Sequence, residues 1–100
     1  MRIYFERTGG FAGITLTTII DTAGLPQEDA QKLRKMLDEA AFFKLHSKIL
    51  PSSPQADRFQ YKLKVEGDGF QHTVIVSEEA MPAGLTPLIK WLMAAVRKER

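Results

Sequence analysis

The chain has 100 residues, of which 44% are hydrophobic and 26% are charged, a composition typical of one globular domain spanning residues 1–100. Its net charge of +2 is too small to indicate a nucleic acid as the partner. Because it has no cysteine, the chain has no disulfide framework, thiol nucleophile or cysteine-ligated zinc site. No apolar run approaches the ~20 residues of a membrane-spanning helix, and no signal peptide is recognisable. We therefore expect a soluble, cytoplasmic protein.

The first predicted element is a β-hairpin. Its two strands are indicated by alternating apolar and β-branched residues, which are Met1, Ile3 and Phe5 in one arm and Ile14, Leu16, Thr18 and Ile20 in the other. The arms are joined by Thr8, Gly9, Gly10, Phe11, Ala12 and Gly13, a loop too long and too rich in glycine for a minimal turn. This loop carries one large aromatic side chain.

A helix is predicted next, with Pro26 as its first residue. Its apolar stripe consists of Ala30, Leu33, Leu37, Ala40 and Ala41. Phe42, Phe43 and Leu45 follow, and we expect them to close the end of the core. The segment 49–57 contains two prolines and two serines, which favours a surface loop.

A second hairpin is predicted between residues 58 and 76, where Phe59, Tyr61, Leu63 and Val65 alternate with polar residues. Asp68-Gly69 is typical of a tight turn. A two-residue loop there pairs Val65 with His72 and Leu63 with Val74, and a four-residue loop keeps the same parity. His72 then lies on the apolar face, where we expect a hydrogen-bonded histidine rather than a metal ligand.

A second helix is predicted with Thr86 as N-cap and Pro87 as its first residue. Its buried stripe consists of Leu85, Leu88, Ile89, Leu92, Ala95 and Val96. Trp91 and Met93 widen this apolar surface, either to close the edge of the core or to meet a partner. The order ββαββα predicts an α+β domain, a mostly antiparallel four-stranded sheet with two helices packed on one face. The strand order stays open.

Residues with catalytic or metal-binding spacing are absent from the sequence. His46 and His72 belong to no metal-ligand motif, and adjacent residues such as Glu78 and Glu79 point in different directions. We therefore expect no enzyme activity, metal or cofactor. Lys62 and Lys64 on the polar face of the sheet could contact phosphates, which gives a regulatory or nucleic-acid-binding module as the alternative function. A solvated sheet face explains them more simply, since no aromatic residue is interleaved there to stack bases.

Four segments resemble the emfourin family, and together they extend over nearly the whole chain. The most specific is the run Arg7 to Ile14, which contains GGFAG; the others are Leu33 to Phe43, Phe59 to Val65 and Gly69 to Val74. The resemblance implies a small bacterial inhibitor of thermolysin-like zinc metalloproteases of the protealysin type. It further implies a non-enzymatic protein that blocks the substrate cleft by non-covalent, competitive binding, and we expect it to be monomeric when free.

Such an inhibitor must occupy a cleft in which two His and one Glu hold zinc beside an open fourth position. Three segments are candidates. The N-terminus, formed by Met1, Arg2 and Ile3, could pair with the cleft edge as an added strand. The loop from Gly9 to Gly13 could insert Phe11 into an apolar pocket, and the Asp68 carboxylate could approach the zinc, although turn formation already explains Asp68. A homo-oligomer that associates through Trp91 is a further alternative.

Overall fold

Seven helices and strands, together with four short 3-10 turns, form the part of the chain that the computed structural model describes, residues 1–10, 13–51 and 58–98. In chain order they are β1 (Arg2–Gly9), β2 (Leu16–Asp21), α1 (Gln27–Glu39), β3 (Lys48–Ile49), β4 (Phe59–Gly67), β5 (Phe70–Ser77) and α2 (Thr86–Lys98). None of the helices in these residues is long and apolar enough to cross a membrane.

The sheet has five strands in the order β2-β1-β4-β5-β3, so the prediction of four strands was wrong by one. The extra strand, β3, pairs in parallel with Ile75 and Val76 and ends at Ile49, the first residue of the segment expected to be a loop. Two residues carry no periodicity, and their strand conformation depends on the neighbouring strand. The other three pairings are antiparallel, as predicted.

The register of the β4–β5 hairpin confirms the two-residue turn. Val65 lies opposite His72, Leu63 opposite Val74, and Gly67 opposite Phe70, which leaves Asp68 and Gly69 as the turn. Gly69 has a φ of +78°, the left-handed region that favours glycine. The apolar pattern determined this register because a slip of one residue would expose the buried side chains of both strands.

In the β1–β2 hairpin, the predicted parity is correct, but both strand ends next to the loop differ from the prediction. Strand β1 includes Thr8 and Gly9, which were expected in the loop, and β2 starts only at Leu16. Ile3 and Phe5 are buried opposite Ile20 and Thr18. Ile14, expected to be a buried strand residue, precedes the strand and has 57% of its surface exposed. An apolar residue beside the glycine-rich loop is therefore left on the surface.

Both helices cover the same face of the sheet, as predicted. Their buried residues share one core with the inward-facing strand residues; α1 contributes Ala30, Leu33, Met36 and Leu37, and α2 contributes Leu88, Ile89, Leu92 and Val96. Trp91 and Met93 are partly buried and pack against this core.

The helix ends differ from the prediction by one or two residues. Pro26 is the N-cap of α1 rather than its first residue, and Thr86 is already helical. Ala41, expected in the apolar stripe of α1, is exposed with a φ of +49° because α1 ends at Glu39.

The prediction that Phe42 and Phe43 both close the core is right only for Phe42, which is fully buried. Phe43 is 46% exposed and makes an edge-to-face contact with Phe70, which is 45% exposed. His72 lies beside these rings, and its Nε2 atom is 2.9 Å from the carbonyl oxygen of Leu45. The expected role of His72 as a hydrogen-bonded residue at the core edge is confirmed.

Candidate functional site

The sheet separates the three predicted binding segments into two groups. Arg2 lies opposite Glu66, so Met1 and Asp68 are at one end of β1, whereas Gly9 lies opposite Phe59 at the other end. At about 3.3 Å per residue, the two ends are roughly 25 Å apart. The N-terminus and the Asp68 turn can therefore act together, but neither adjoins the loop from Gly9 to Gly13.

Three glycines and two hydrogen bonds define the base of this loop. Gly9, Gly10 and Gly13 have φ values of +88°, +78° and +63°, which residues with a side chain rarely adopt. The Gly10 amide donates to the Arg58 carbonyl oxygen at 3.3 Å, and the Gly13 amide donates to the Gly10 carbonyl oxygen at 3.3 Å. Phe11 and Ala12, the predicted contact residues, lie outside the described residues.

A stack of side chains supports the loop from the helix-covered side of the sheet. The Phe59 ring lies so close to Gly10 that a Cβ atom added there would be 2.4 Å from its Cε1 atom. The central guanidinium carbon of Arg7 lies 4.1 Å from the centre of the same ring, within the range of a cation-π contact. Gly10 is therefore glycine for two reasons, its positive φ and the closeness of Phe59.

The surroundings of this stack are both charged and partly buried. The Nε atom of Arg7 is buried and has no hydrogen-bond partner among the described residues. The Phe59 amide donates to Glu78 Oε1 at 3.0 Å, and Arg58 Nε lies 3.7 Å from Glu79 Oε1. Burial raises the pKa of the Tyr61 phenol, while the nearby Arg7 guanidinium acts in the opposite direction.

Sequence reasoning did not predict that Arg7 and Phe59 stack beneath the loop, or that Ile14 is exposed beside it. The stack could not be predicted because it depends on the pairing of β1 with β4, two segments about 50 residues apart, which no local pattern indicates. The exposure of Ile14 follows from the late start of β2. The run GGFAG was the only local signal for this end of the sheet.

The N-terminal segment offers no free strand edge at Arg2 and Ile3. Arg2 and Ile3 are paired on both sides, with β2 and with β4, so their backbone groups are already in use. Ile3 is fully buried, so it cannot contact a partner. The Met1 carbonyl oxygen accepts hydrogen bonds from the Thr22 amide at 2.9 Å and the Thr22 hydroxyl at 3.1 Å.

Around Arg2 the charges are paired within the chain. Its Nη2 atom lies 3.8 Å from Asp21 Oδ2, and its Nη1 atom donates to the Tyr4 hydroxyl at 3.4 Å, a contact that raises the pKa of Arg2. Asp68 is exposed at the hairpin turn and shares a shallow pocket with Met1 and Arg2. No cluster of three or more potential metal ligands exists in residues 1–10, 13–51 and 58–98.

The face that carries Lys62 and Lys64 contains both signs of charge. Lys64 Nζ lies 3.7 Å from Glu66 Oε2 and 5.2 Å from the centre of the Tyr4 ring. The expectation that no aromatic residue occupies this face was therefore wrong. Tyr4 is nevertheless already engaged within the chain, because its hydroxyl donates to Glu66 Oε1 at 2.8 Å and its ring lies beneath Lys64. Such a face favours neither phosphate binding nor base stacking.

Comparisons with known proteins agree with the resemblance seen in the sequence. The family model Emfourin matches residues 5–93. Among solved structures, the chain is similar to emfourin (M4in) from Serratia proteamaculans, an M4 family peptidase inhibitor, with 20% identity, 87% of this chain and 83% of that chain covered, and a TM-score of 0.49. A search of curated proteins found no match.

Proposed function

We propose that this chain, which belongs to the emfourin family, inhibits a thermolysin-like zinc metalloprotease of the M4 family by occupying its substrate cleft. The observation that carries this proposal is the family match over residues 5–93. Emfourins are a family of inhibitors and not of enzymes, in agreement with the expectation of a non-enzymatic protein. Protealysin-type proteases are the target class that the sequence resemblance implies.

The loop from Gly9 to Gly13 is the segment that we propose enters the cleft, with Phe11 as its apolar anchor. Interfaces concentrate binding energy in a few aromatic side chains, and a loop held at its base loses little entropy on binding. Support comes from the hydrogen bonds at Gly10 and Gly13 and from the Phe59 ring against Gly10. The exposed Ile14 adds apolar surface directly after the loop.

The N-terminus and Asp68 are weaker candidates for the cleft-binding segment. Met1 is held by Thr22, Arg2 lies in an interior strand, and Asp68 is accounted for by its turn. We therefore propose that one monomeric chain binds one protease molecule through the loop end of the sheet, and that the opposite end stays outside the cleft.

The decisive experiment is a titration of the purified chain into a thermolysin-like protease with a short peptide substrate at several substrate concentrations. Competitive inhibition requires an apparent inhibition constant that rises with substrate concentration. For Phe11→Ala we expect a loss of about 2–3 kcal/mol of binding, a roughly 30- to 150-fold rise in the inhibition constant, with little change in melting temperature.

Phe70→Ala is the matched control, because Phe70 is a half-exposed phenylalanine at the opposite end of the sheet. Its inhibition constant should stay within about twofold of that of the unmodified chain. A Phe11→Ala variant with a lowered melting temperature but an unchanged inhibition constant would refute the role of Phe11 as an anchor. Salt-dependent binding of random DNA or RNA, without inhibition, would favour the alternative function on the Lys62 and Lys64 face.

A further inference from the structure

Strand β2 is the outermost strand on one side of the sheet. It has six residues, about 20 Å in extent, and among the described residues no strand pairs with its outer side. The opposite edge is formed by β3, which has only two residues. A peptide that adds to the sheet through main-chain hydrogen bonds could pair along the whole length of β2.

The sequence of β2, LTTIID, lacks the features that usually protect an edge strand. It contains no lysine, no proline and no charge before Asp21. Its outward-facing Ile19 is 61% exposed. Because proteins normally block such edges against association, an unblocked one indicates that a partner strand binds there.

A groove of about 570 Å³ runs beside the second half of β2, between the strand and α2. Trp91, Ala94 and Ala95 supply apolar surface from the helix, and Ile19 and Ile20 supply it from the strand. Such a volume accommodates one or two large side chains of a bound segment. An extended peptide on β2 would direct alternate side chains into this groove, since successive strand residues point to opposite faces.

The charges in the groove favour a basic side chain in the occupant. Asp21 and Asp29 line it together with Lys98, so carboxylates outnumber ammonium groups. Asp21 is already paired with Arg2, but Asp29 is half-buried and forms no ion pair within the described part of the chain. The free carboxylate of Asp29 therefore suits a Lys or Arg next to an apolar residue.

We infer that the β2 edge and this groove bind an extended segment of the target protease, with an apolar and a basic side chain, by strand addition. The inference rests on the proposed function. The chain that leaves the loop after Gly13 enters β2 at Leu16, so a loop held in the cleft brings β2 alongside the cleft rim. One continuous contact then extends from the loop to the groove at Asp21.

Hydrogen exchange and two variants at one exposed helix position test this inference. In the protease complex, the β2 amides that exchange rapidly in the free chain should slow by tenfold or more. Ala94→Arg places a long cation in the groove and should raise the inhibition constant by about tenfold or more, whereas Ala94→Ser should change it by less than about twofold. Asp29→Asn should weaken inhibition a few-fold and reduce its salt dependence. Melting temperatures verify that each variant is folded.

Each outcome decides the question. Slower hydrogen exchange of the β2 amides in the complex, together with weaker inhibition by Ala94→Arg, supports the inference. Tight inhibition with β2 amides that exchange as in the free chain, or full inhibition by Ala94→Arg, would overturn it while leaving the proposed function standing. A doubled mass of the free chain in solution that Ala94→Arg abolishes would also overturn it, because the occupant would then be a second copy. Absence of inhibition by the unmodified chain would refute the proposed function itself, before any variant is made.

Discussion

Gly10 offers a direct test of the support beneath the proposed binding loop. Gly10→Ala introduces a Cβ atom 2.4 Å from the Phe59 ring at a residue with a φ of +78°. The left-handed backbone alone costs about 1–2 kcal/mol for a residue with a side chain. The ring must also move, which removes the Arg7 contact, worth about 0.5–1 kcal/mol, and about 1 kcal/mol of ring burial. The expected total is about 3 kcal/mol.

Gly13→Ala is the matched control for this substitution. Gly13 also has a positive φ, +63°, but an added Cβ atom would meet nothing within 4 Å. Only the backbone cost of about 1–2 kcal/mol applies, so the two variants should differ by about 1.5–2 kcal/mol in the free energy of unfolding. Urea titrations with a common m-value measure that difference.

The same pair of variants relates loop geometry to inhibition. If the Phe59 stack orients the loop, folded Gly10→Ala should lose more inhibition than folded Gly13→Ala, under conditions where both are fully native. Equal losses of stability would show that Phe59 does not pack on Gly10, and the reasoning about the loop support would fail. If the two variants differ in stability but inhibit equally well, Phe59 does pack on Gly10, but this packing does not affect binding of the protease.

Three further predictions concern the core and the opposite end of the sheet. Leu63→Ala should cost about 2–5 kcal/mol, because Leu63 is fully buried between Phe5 and Val74, and a loss below about 1 kcal/mol in a denaturant titration would contradict this. Because the folded pKa of Tyr61 is raised, the stabilisation from its neutral phenol is complete below about pH 10 and is lost as the pH rises through the folded pKa. Tyr61→Phe should therefore lose less stability than the unmodified chain above about pH 10; identical alkaline curves would exclude this contribution. If the protease contacts the loop end alone, short tags before Met1 and after Arg100 should give inhibition constants within about twofold of each other, since Met1 lies roughly 25 Å from the loop. Because Arg2 lies opposite Asp21, which lines the β2 groove, a tenfold effect of the N-terminal tag alone would place this end of the sheet at the interface.

The hairpins and helices could be predicted from sequence because their signals are local. The alternation in β4 and β5 determined a register that the structure confirms, and the leucines of both predicted helix stripes are buried as expected, whereas Ala41 is exposed beyond the end of α1. The helix ends were less certain because capping depends on single torsion angles, as at Pro26 and Ala41. Strand β3 was missed because its two residues acquire strand geometry only from their contact with β5.

The candidate site was only partly predictable, for a different reason. The GGFAG run identified the loop, but its support by Phe59 and Arg7 depends on the pairing of β1 with β4. No local pattern in the sequence indicates which strands are neighbours, so the strand order could not be predicted.

That strand order distinguishes the backbone environments of the candidate segments. Read locally, Met1 to Ile3 is an extended segment free to pair with a cleft, and Leu16 to Asp21 is an ordinary amphipathic strand. In the sheet, β1 lies between β2 and β4 and has no free edge, whereas β2 is outermost and no strand of residues 1–10, 13–51 and 58–98 pairs with its outer side. The N-terminal strand was expected to offer backbone N–H and C=O groups to a bound segment, but in the described part of the sheet it is β2, the strand after the loop, that is placed to do so. Loop and edge are consecutive in the chain, so a single approach of the protease can engage both.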